Sequence, residues 1–345
     1  MKTIKDFDVE GKRILVRCDF NVPLDEDGNI CDDFRIVKTL PTIEYLVEQK
    51  AKIILMSHLG EPEGRIIPAL NLNKIKEKLE ELLNMDIVKA DDCIGPKVQQ
   101  QVENLEPGEI LLLENLRFHK EETENDSDFA EKLAQLGDFY INDAFADCHR
   151  THASIALIPQ FLPGGAGLLL EEEISVLSKI MQQPDRPMVA IIGGSKASTK
   201  APLVDPFCAF ADLVIVNGLI KQELIAQKIP LQYPEKVLGP KDNLERLDVN
   251  EQDVLRFTSP ILKAKTIFWN GPFGKFEDEQ YKNGTLQIAK AIIESKAFSV
   301  VGGGETIEFL DKEGMLDQFS HVSTGGGAML DFISGQTLPG LEALN

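Results

Sequence analysis

Two lysines, Lys196 and Lys200, stand four residues apart in the stretch GGSKASTK, directly after the apolar run PMVAII. The run is typical of a buried strand, and the pair Gly193–Gly194 lets the backbone turn sharply and lets a ligand approach closely. Ammonium and hydroxyl groups at such a turn are suited to an anion, most plausibly a phosphate. The alternative is a tight strand-to-helix turn whose lysines simply face water. The residues at the other strand ends help to decide between an anion site and a plain turn.

Glycines follow most of the predicted strands in the second half of the chain. The segment GGGET, residues 302–306, opens a predicted helix, whose first N–H groups are free to bind a phosphate. Its Glu305 could reach a phosphate-bound Mg²⁺, and Glu277 of GKFE could accept hydrogen bonds from ribose hydroxyls. A tight turn explains any one glycine cluster, but their recurrence favours a nucleotide site. Neither GxxxxGK[ST] nor GxGxxG occurs, which weighs against P-loop and dinucleotide folds.

Arginines and histidines gather after the predicted strands of the first half. Four of the five histidines in the chain lie there, at strand ends or in the loops after them. Arginine offers a bidentate fork to phosphate or carboxylate, and cations gathered on an acidic chain focus the potential for a small anion. Structural ion pairs with neighbouring acids are the alternative. The candidate anion-binding residues are Asp19, Asn21, Arg35, His58, Arg117, His119, His149, Arg150 and His152.

An alternation of strands and helices must position these candidates. Short continuous apolar runs, such as RILVRCDF and KTIFWNG, predict parallel strands that are covered on both faces. The segments between them have helical periodicity. The predicted fold class is therefore α/β, with two doubly wound, Rossmann-like parallel-sheet domains joined by a helix and hinge. We expect a first domain over 1–170, an interdomain helix over 171–184 and a second domain over 185–331. Ligands of such sheets bind beyond the carboxyl ends of the strands.

Composition excludes several classes of function. The chain has 345 residues, 43% of them hydrophobic and 27% charged, as expected for a globular protein of two domains. A net charge of −20 makes nucleic acid an unsuitable partner. Five scattered cysteines without a C-x-x-C pair argue against a disulfide framework or a zinc site, and for a reducing compartment. No signal-like or membrane-spanning run is found, so we expect a cytoplasmic protein without membrane contact.

The motifs of common hydrolases are missing, since neither G-x-S-x-G nor H-E-x-x-H occurs. Phosphoryl transfer, in contrast, needs positioning and positive charge more than covalent help. An anion site in one domain and a glycine-rich nucleotide site in the other suit that chemistry. Closure of the two domains would then exclude water.

The chain contains eight distinctive sequence blocks, which are RCDFNVPLDEDGNICDDFRI, LMSHLGEPEG, LLLENLRFHKEE, YINDAFADCHRTHAS, GGSKASTK, IFWNGPFGKFE, VVGGGETIEF and SHVSTGGGAMLDFISGQTLPGLEAL. They are similar to the blocks of the phosphoglycerate kinase family, in the family's order and over nearly the whole chain. The resemblance implies a hinge-bending kinase of glycolysis that interconverts 1,3-bisphosphoglycerate and ADP with 3-phosphoglycerate and MgATP. It also implies that the C-terminal residues 332–345 return to the first domain, and nothing in the chain demands more than a monomer.

The resemblance assigns roles residue by residue. It implies that Asp19 and Asn21 hold the glycerate and that Arg35 stabilises the transferring group. The basic patch that completes the substrate site would be His58, Arg117, His149 and Arg150. Lys196 would follow the phosphoryl group in flight, so that the paired lysines neutralise charge on the phosphoryl oxygens in the transition state.

The second set of implied residues binds the nucleotide. Lys196 belongs to it, Lys200 would hold the nucleotide phosphates, and Glu277 would bind the ribose. The glycine segment and its neighbours complete it: Asn270, Gly302, Gly303, Gly304, Glu305 and Thr306. Gly303 joins Arg35 and Lys196 as an implied catalytic residue, and Glu305 is the implied Mg²⁺ ligand.

The chain also departs from the family pattern, mostly in its nucleotide half. Glu61 replaces the arginine of the family's HLGR, and Arg65 is a possible substitute for it. Thr199 stands where an aspartate is usual, the family's triple glycine is VNG, and Glu305 replaces an aspartate. The family's LPVD…AD block, which helps line the adenine pocket, is missing after AQKIPLQYPEKV.

Two alternatives to an active phosphoglycerate kinase stay open. The first is a catalytically weak homologue that binds a phosphorylated metabolite as a sensor or partner protein. The second is a kinase for another acyl phosphate, with Glu61 altering the substrate site. Retention of Arg35, Lys196 and Lys200 favours the enzyme, because these residues stabilise phosphoryl charge.

Overall fold

The computed structural model describes residues 1 to 345 and divides them into two compact units. The first unit is Met1–Ile174 with Thr337–Asn345, and the second is Ser175–Gln336. The C-terminal segment is held to the first unit by Gly340, whose N–H donates to the carbonyl of Cys148 at 2.9 Å. Each unit is built on a sheet of its own.

The sheet of the first unit has six strands, all parallel. They are β1 (Arg13–Arg17), β2 (Lys52–Met56), β3 (Val88–Lys89), β4 (Ile110–Leu112), β5 (Phe139–Asn142) and β6 (Gly164–Ala166). Their order across the sheet is β3-β4-β2-β1-β5-β6. The register pairs Ile14 of β1 with Ile53 of β2 on one side and with Phe139 of β5 on the other. Because β1, β2 and β5 are neighbours, the segments that follow them meet at one sheet edge.

The second unit repeats this arrangement. Its strands are β7 (Met188–Ile192), β8 (Leu213–Val216), β9 (Val237–Leu238), β10 (Thr266–Asn270), β11 (Phe298–Gly302) and β12 (His321–Ser323). They are parallel and ordered β12-β11-β10-β7-β8-β9. Every residue of β7 and β10 is buried, as expected for central strands covered on both faces.

Helices connect successive strands in both units, and their bounds are as follows. In the first unit they are α1 (Phe34–Glu48), α2 (Asn73–Leu83), α3 (Pro96–Glu103), α4 (Lys120–Thr123) and α5 (Ser127–Ala134). Helix α6 (Leu168–Gln182) contains the point where the chain passes from one unit to the other. In the second unit they are α7 (Ala197–Lys200), α8 (Val204–Phe210), α9 (Gly218–Ala226), α10 (Glu251–Ile261), α11 (Asn283–Ser295), α12 (Gly304–Lys312) and α13 (Gly326–Ile333). Helix α14 (Pro339–Glu342) belongs to the C-terminal segment. None of the helices combines the length and apolar character of a membrane span.

The predicted α/β class with two parallel sheets is confirmed. The apolar runs predicted the long interior strands correctly. Three strands were not among the predicted ones, and they lie at sheet edges: β3 and β9 have two residues each and β6 has three. The two-residue strands β3 and β9 are too short to show either an apolar run or an alternation, and β6 is Gly-Gly-Ala, which forms no apolar run.

Glycines let the central strand ends of the second unit approach one another. Gly271 has φ +92°, and a Cβ on it would lie 2.1 Å from the carbonyl oxygen of Gly193. The Gly193 N–H donates to Asn270 O at 2.8 Å, which ties the end of β7 to the end of β10. The close backbone approach therefore requires glycine at both positions.

Two adjacent glycines at the start of α12 provide a test of this constraint. Gly303 has φ +97°, and a Cβ there would lie 2.8 Å from Asn270 Nδ2, whereas a Cβ at Gly304 would meet nothing within 4 Å. We expect Gly303→Ala to lower the free energy of unfolding of the second unit by about 1–3 kcal/mol, because only glycine adopts that backbone conformation without strain. Gly304→Ala, the matched control, should leave it nearly unchanged.

The measurement is urea unfolding followed by tryptophan fluorescence. Trp269 is the only tryptophan in the sequence and lies fully buried in β10, so its emission reports on the second unit alone. Equal midpoints for the two variants would contradict the argument.

Candidate functional site

The polar residues predicted from the first half gather beyond the carboxyl ends of β1, β2, β4 and β5. We call this group the anion cluster and define it by Asp19, Asn21, Arg35, His58, Arg117, His149, Arg150 and His152. Asp19, His58 and Arg117 are almost completely buried, with side chains that the sheet and its loops enclose.

A buried carboxylate that sequence reasoning missed, Asp147, holds the cluster together. Arg17 Nη2 and His58 Nδ1 lie 3.2 and 3.5 Å from Asp147 Oδ2, and Arg150 Nε lies 3.5 Å from Oδ1. Burial raises the pKa of Asp147, but the nearby arginines outweigh it and hold that pKa well below its usual range. Asp147 is therefore the counter-ion of the cluster. Nothing in the letters NDAFADCHR distinguishes it from the other aspartate there, Asp143.

Arg35 is held in place by groups from the loop after β1. Its Nη1 donates to Asp19 Oδ2 at 2.6 Å and to the carbonyl of Asn21 at 3.2 Å. Asn21 Oδ1 in turn accepts from the N–H of Gly60 at 2.9 Å. Burial raises the pKa of Asp19, and Arg35 opposes this shift. The three residues predicted to hold the glycerate and the transferring group thus form one connected unit.

Glu61 faces the arginines of the cluster. Arg117, with a side chain only 1% exposed, donates from Nη1 to the carbonyl of Gly60 at 2.9 Å and to Glu61 Oε1 at 2.7 Å. Arg150 Nη1 lies 3.9 Å from the same Glu61 oxygen. Arg65 does not take this place, since its Nη2 pairs with Glu63 Oε2 at 3.0 Å in an exposed pair. A carboxylate of the chain therefore competes for the position of an anionic ligand.

Several buried nitrogens in the cluster have no hydrogen-bond partner. They are Arg117 Nε and Nη2, His58 Nε2, His149 Nδ1 and His152 Nδ1. Burial and the nearby arginines lower the pKa of His58, and lower that of His152 to about 4, so both rings are neutral near pH 7. Unpaired buried donors are unfavourable by about 1–3 kcal/mol each, so an anion that accepts from them would gain that energy.

The predicted residue His119 has a different partner. Its Nε2 lies 2.7 Å from Asp92 Oδ1, and its ring packs on Phe129 at a centroid distance of 5.3 Å. That hydrogen bond raises the pKa of His119, although burial opposes the shift. Its imidazole is engaged in this pair, whereas the ring of His58 lies beside Asp147, with Nδ1 3.5 Å from Oδ2.

The second candidate site is a cavity of about 330 Å³ at the carboxyl edge of the second sheet. Its apolar surface includes Leu219 and Leu247, which are 40% and 50% exposed. The carboxylates of Glu277 and Glu305 also line it. The other lining residues are Gly194, Ser195, Asn217, Gly218, Glu245, Arg246, Pro272, Phe273, Gly274 and Lys275. Apolar walls beside carboxylates and glycine turns suit a nucleotide.

Lys200 reaches back to the glycine turn that precedes it. Its Nζ donates to the carbonyl of Gly193 at 2.8 Å. Burial lowers the pKa of Lys200 to about 8, an effect that Glu305 opposes and Lys196 reinforces. Lys196 itself is exposed on the turn. The two lysines thus lie close enough to influence each other electrostatically at one strand end.

The remaining predicted residues hold the glycine turns together. Asn270 Nδ2 donates to the carbonyl of Gly302 at 2.9 Å, and Thr306 Oγ1 accepts from the N–H of Gly271 at 2.8 Å. These bonds fix the segments after β10 and β11 against each other. Beyond Gly303, helix α12 begins, and the first N–H groups of a helix lack partners within it.

A carboxylate and a hydroxyl lie where a phosphate-bound cation would need oxygen ligands. Ser195 Oγ donates to Glu305 Oε1 at 3.2 Å, and both residues line the cavity. Mg²⁺ is usually held by one or two carboxylates together with substrate phosphates. The donor set therefore fits the Mg²⁺ that the family resemblance implies, with Glu305 as its protein ligand.

Comparisons with known proteins place this architecture in one family. The family model described as phosphoglycerate kinase matches residues 4–231 and 231–336. The chain is 40% identical to phosphoglycerate kinase of Aquifex aeolicus and 38% identical to that of Pelotomaculum thermopropionicum, covering 98% of each relative and 99% or more of this chain. The solved structure from Pyrococcus horikoshii OT3 matches with a TM-score of 0.88 at 30% identity, covering all of this chain and 98% of its own. That from Coxiella burnetii matches with a TM-score of 0.84 at 33% identity, covering 99% and 98%.

The comparisons also show that this chain is shorter than its relatives. The alignment with the Aquifex aeolicus enzyme spans 390 positions for the 345 residues of this chain, so about 45 positions have no counterpart here. The two stretches matched by the family model meet at residue 231, between α9 and β9. With matches that extend over both sheets and nearly the full length of its relatives, this chain belongs to the phosphoglycerate kinase family.

Proposed function

We propose that this chain catalyses reversible phosphoryl transfer from 1,3-bisphosphoglycerate to ADP, giving 3-phosphoglycerate and ATP, as a glycolytic enzyme. Family membership supports this activity. The observation that carries the proposal is the set of buried, unpartnered nitrogens of the anion cluster, which suits a substrate with a phosphate and a carboxyl group. The lysines and glycine turns of the second unit supply the matching nucleotide site.

In the first unit, the anion cluster orients the glycerate. Asp19 and Asn21 accept from its hydroxyl and hold Arg35 toward its carboxyl group. Arg117 and Arg150 donate to its phosphate, and a neighbouring histidine donates only from the ring nitrogen that carries its proton. Asp147 holds Arg150 and the carbonyl of Gly60 holds Arg117, so these donors are fixed before the ligand binds, and Glu61 is the group that must move.

In the second unit, Lys200 and the start of α12 hold the nucleotide phosphates, and Glu277 accepts from the ribose hydroxyls. Glu305 is the proposed Mg²⁺ ligand, with Gly302, Gly303, Gly304, Thr306 and Asn270 shaping the turn around the phosphates. Bound Mg²⁺ would neutralise charge on the nucleotide's phosphate oxygens. Lys196, exposed on its turn, is free to remain with the phosphoryl group during transfer.

The transition state spreads negative charge over the three phosphoryl oxygens. We assign its stabilisation to Arg35 from the first unit and Lys196 from the second, with Gly303 providing close backbone approach. Charged groups aimed at developing charge provide the largest catalytic effect in such reactions. We further propose that the protein works as a cytoplasmic monomer without nucleic-acid or membrane partners.

One observation favours a second candidate, a kinase for another acyl phosphate. The carboxylate of Glu61 forms an ion pair with Arg117 and lies near Arg150, and this reduces the positive charge available to a substrate phosphate. A coupled assay with 3-phosphoglycerate and MgATP, run beside other carboxylate acceptors and beside GTP, tests both. The proposed function predicts turnover with 3-phosphoglycerate above that with every other acceptor. The third possibility, a binding protein with little activity, predicts saturable binding without turnover on any acceptor.

The role of Lys196 yields the first prediction for the enzyme. Lys196→Met should lower turnover by about 10³-fold or more while nucleotide affinity changes little, because its charge serves the transition state above all. Steady-state kinetics and calorimetric titration with MgADP measure the two quantities. Lys263→Met removes another exposed lysine of the same unit and should change neither. Near-normal turnover in Lys196→Met would refute the assigned role.

The contact between Glu61 and Arg117 yields the second prediction. The carboxylate of Glu61 and a ligand phosphate about 5 Å away repel by roughly 3 kcal/mol at an effective dielectric constant near 20. Because the Glu61 carboxylate is exposed, solvent screening leaves only a fraction of this repulsion. Glu61→Gln should therefore tighten 3-phosphoglycerate binding several-fold at low salt, and Glu61→Arg should tighten it further by adding a fork donor. Both gains should shrink as salt rises.

Calorimetry at two salt concentrations measures the effect. Glu63→Gln is the matched control, because Glu63 lies in the same loop and pairs with exposed Arg65. Unchanged affinity in both Glu61 variants at low salt would show that this carboxylate turns away when the ligand binds.

The lowered pKa of Lys200 yields the third prediction. The ammonium form dominates below pH 8, because the pKa is about 8, and a bound phosphate favours that form. The dissociation constant of MgADP should therefore rise about tenfold or more between pH 7 and pH 9.5, as the charge-assisted hydrogen bond is lost. Lys200→Arg keeps its charge over this range and should show a flat profile. A wild-type profile as flat as that of Lys200→Arg would rule out titration of Lys200.

A further inference from the structure

Apart from the two candidate sites, a carboxylate, a thiol and an imidazole lie together in the first unit. Asp92 and Cys93 follow β3, and His119 follows the turn after β4. One oxygen of Asp92, Cys93 Sγ and one ring nitrogen of His119 all lie within 4.8 Å of one another. The cluster forms no short motif, since 27 residues separate His119 from Asp92. This is why the cysteine spacings gave no sign of a metal site.

The backbone fixes the three side chains in this arrangement. Strands β3 and β4 are parallel neighbours, so both segments leave the sheet at the same edge. The N–H of Ala90 donates to Leu112 O at 2.9 Å, and the N–H of Glu114 donates to Asp92 O at 3.3 Å. Cys93 N–H donates to Asp92 Oδ1 at 2.7 Å. A preorganised donor set of this kind binds a ligand without refolding the loops.

The group does not have the properties of a nucleophilic cysteine site. Cys93 is completely buried, and burial raises the pKa of its thiol well above the ordinary value. His119 is hydrogen-bonded to Asp92, which raises the pKa of the imidazole. A reactive thiolate needs the opposite conditions, partial exposure and a lowered pKa.

The cluster is accessible to a cation through its carboxylate. The Asp92 side chain is 51% exposed and lines two cavities, of about 540 and 360 Å³. The smaller one is also lined by His119 and by the carboxylates of Asp91 and Glu114. Lys89 is its one cationic lysine, and that charge is neutralised by Glu114 at 2.6 Å. The local charge therefore favours a cation, with solvent on one side of it.

We propose that Asp92, Cys93 and His119 form a binding site for a divalent transition-metal ion of the zinc class. Sulfur and imidazole nitrogen are the donors that such ions prefer, whereas Mg²⁺ and Ca²⁺ take oxygen ligands. Three protein ligands with one position open to water is the arrangement of zinc sites that exchange a ligand, in contrast to closed structural sites. Binding replaces the protons on the thiol and the imidazole by the metal ion.

The anion cluster contains a second group of possible ligands, Asp19, His58 and Asp147. Arg17 lies 3.2 Å from Asp147, and Arg35 lies 2.6 Å from Asp19. These fixed cations already occupy the carboxylates and repel a metal ion. The Cys93 cluster is therefore the better site, and a test must separate the two.

Cobalt titration of the full chain provides that test, since Co²⁺ replaces Zn²⁺ and is coloured. We expect one equivalent to bind, with a thiolate-to-cobalt charge-transfer band in the near ultraviolet that excess Mg²⁺ does not remove. Cys93→Ser should abolish the band, and Asp92→Asn and His119→Gln should weaken binding at least tenfold. The matched control is Cys31→Ser, at an exposed cysteine outside the cluster, which should bind like the wild type.

X-ray absorption on the unmodified zinc-loaded protein keeps the proposal testable if a variant fails to fold. One sulfur at about 2.3 Å and nitrogen or oxygen at about 2.0–2.1 Å are expected. A shell of nitrogen and oxygen alone, a charge-transfer band that survives in folded Cys93→Ser, or no binding at micromolar metal would each overturn the proposal.

Discussion

Burial of several cationic side chains in a small volume is possible in the first unit only because Asp147 is buried with them. Arg17, fully buried, lies between this carboxylate and a second acidic group, since its Nε donates to Ser154 Oγ, which donates to Glu122 Oε1 at 2.6 Å. An unpaired buried charge is strongly unfavourable, and removing one partner of such a pair typically costs about 3–5 kcal/mol. The internal acids satisfy Arg17, while Arg117 and the histidines retain unused donors. The cluster is thus stable without being neutralised at the atoms that face a ligand.

The second unit is organised around a different constraint, which is the close approach of backbone to backbone at two strand ends. Glycines at the ends of β7 and β10 bring two turns together, and Lys200 bonds across them to Gly193. Desolvation that results from this closeness lowers the pKa of Lys200 to about 8. The close packing of the turns and the lowered pKa of Lys200 therefore have one cause.

The sequence predicted the interior of the fold better than its edges, and the residue types of the sites better than their contacts. Runs such as PMVAII are long because both faces of a central strand are covered, so β7 could be recognised, whereas β9 has only two residues. Arginines and histidines after strands indicated an anion site. The letters could not show that Asp147 is the common counter-ion, or that Glu61 turns toward Arg117, since such contacts depend on how separate loops pack. The letters also could not show that His119 pairs with Asp92, because that contact too depends on how separate loops pack.

The second unit keeps a complete parallel sheet although the chain is shorter than its relatives. The two stretches matched by the family model join at residue 231, before the two-residue edge strand β9, and the six-stranded parallel order is retained. The turns that carry Lys200, Gly271 and Glu305 follow the central strands β7, β10 and β11, which the change does not reach. The hydrogen bonds of those turns join them to one another and to Asn217 after β8. Residue 231 lies beyond the other end of α9, where the N–H of Gln232 donates to Asp205 of α8, so a change of chain length there leaves the bonds of the turns in place.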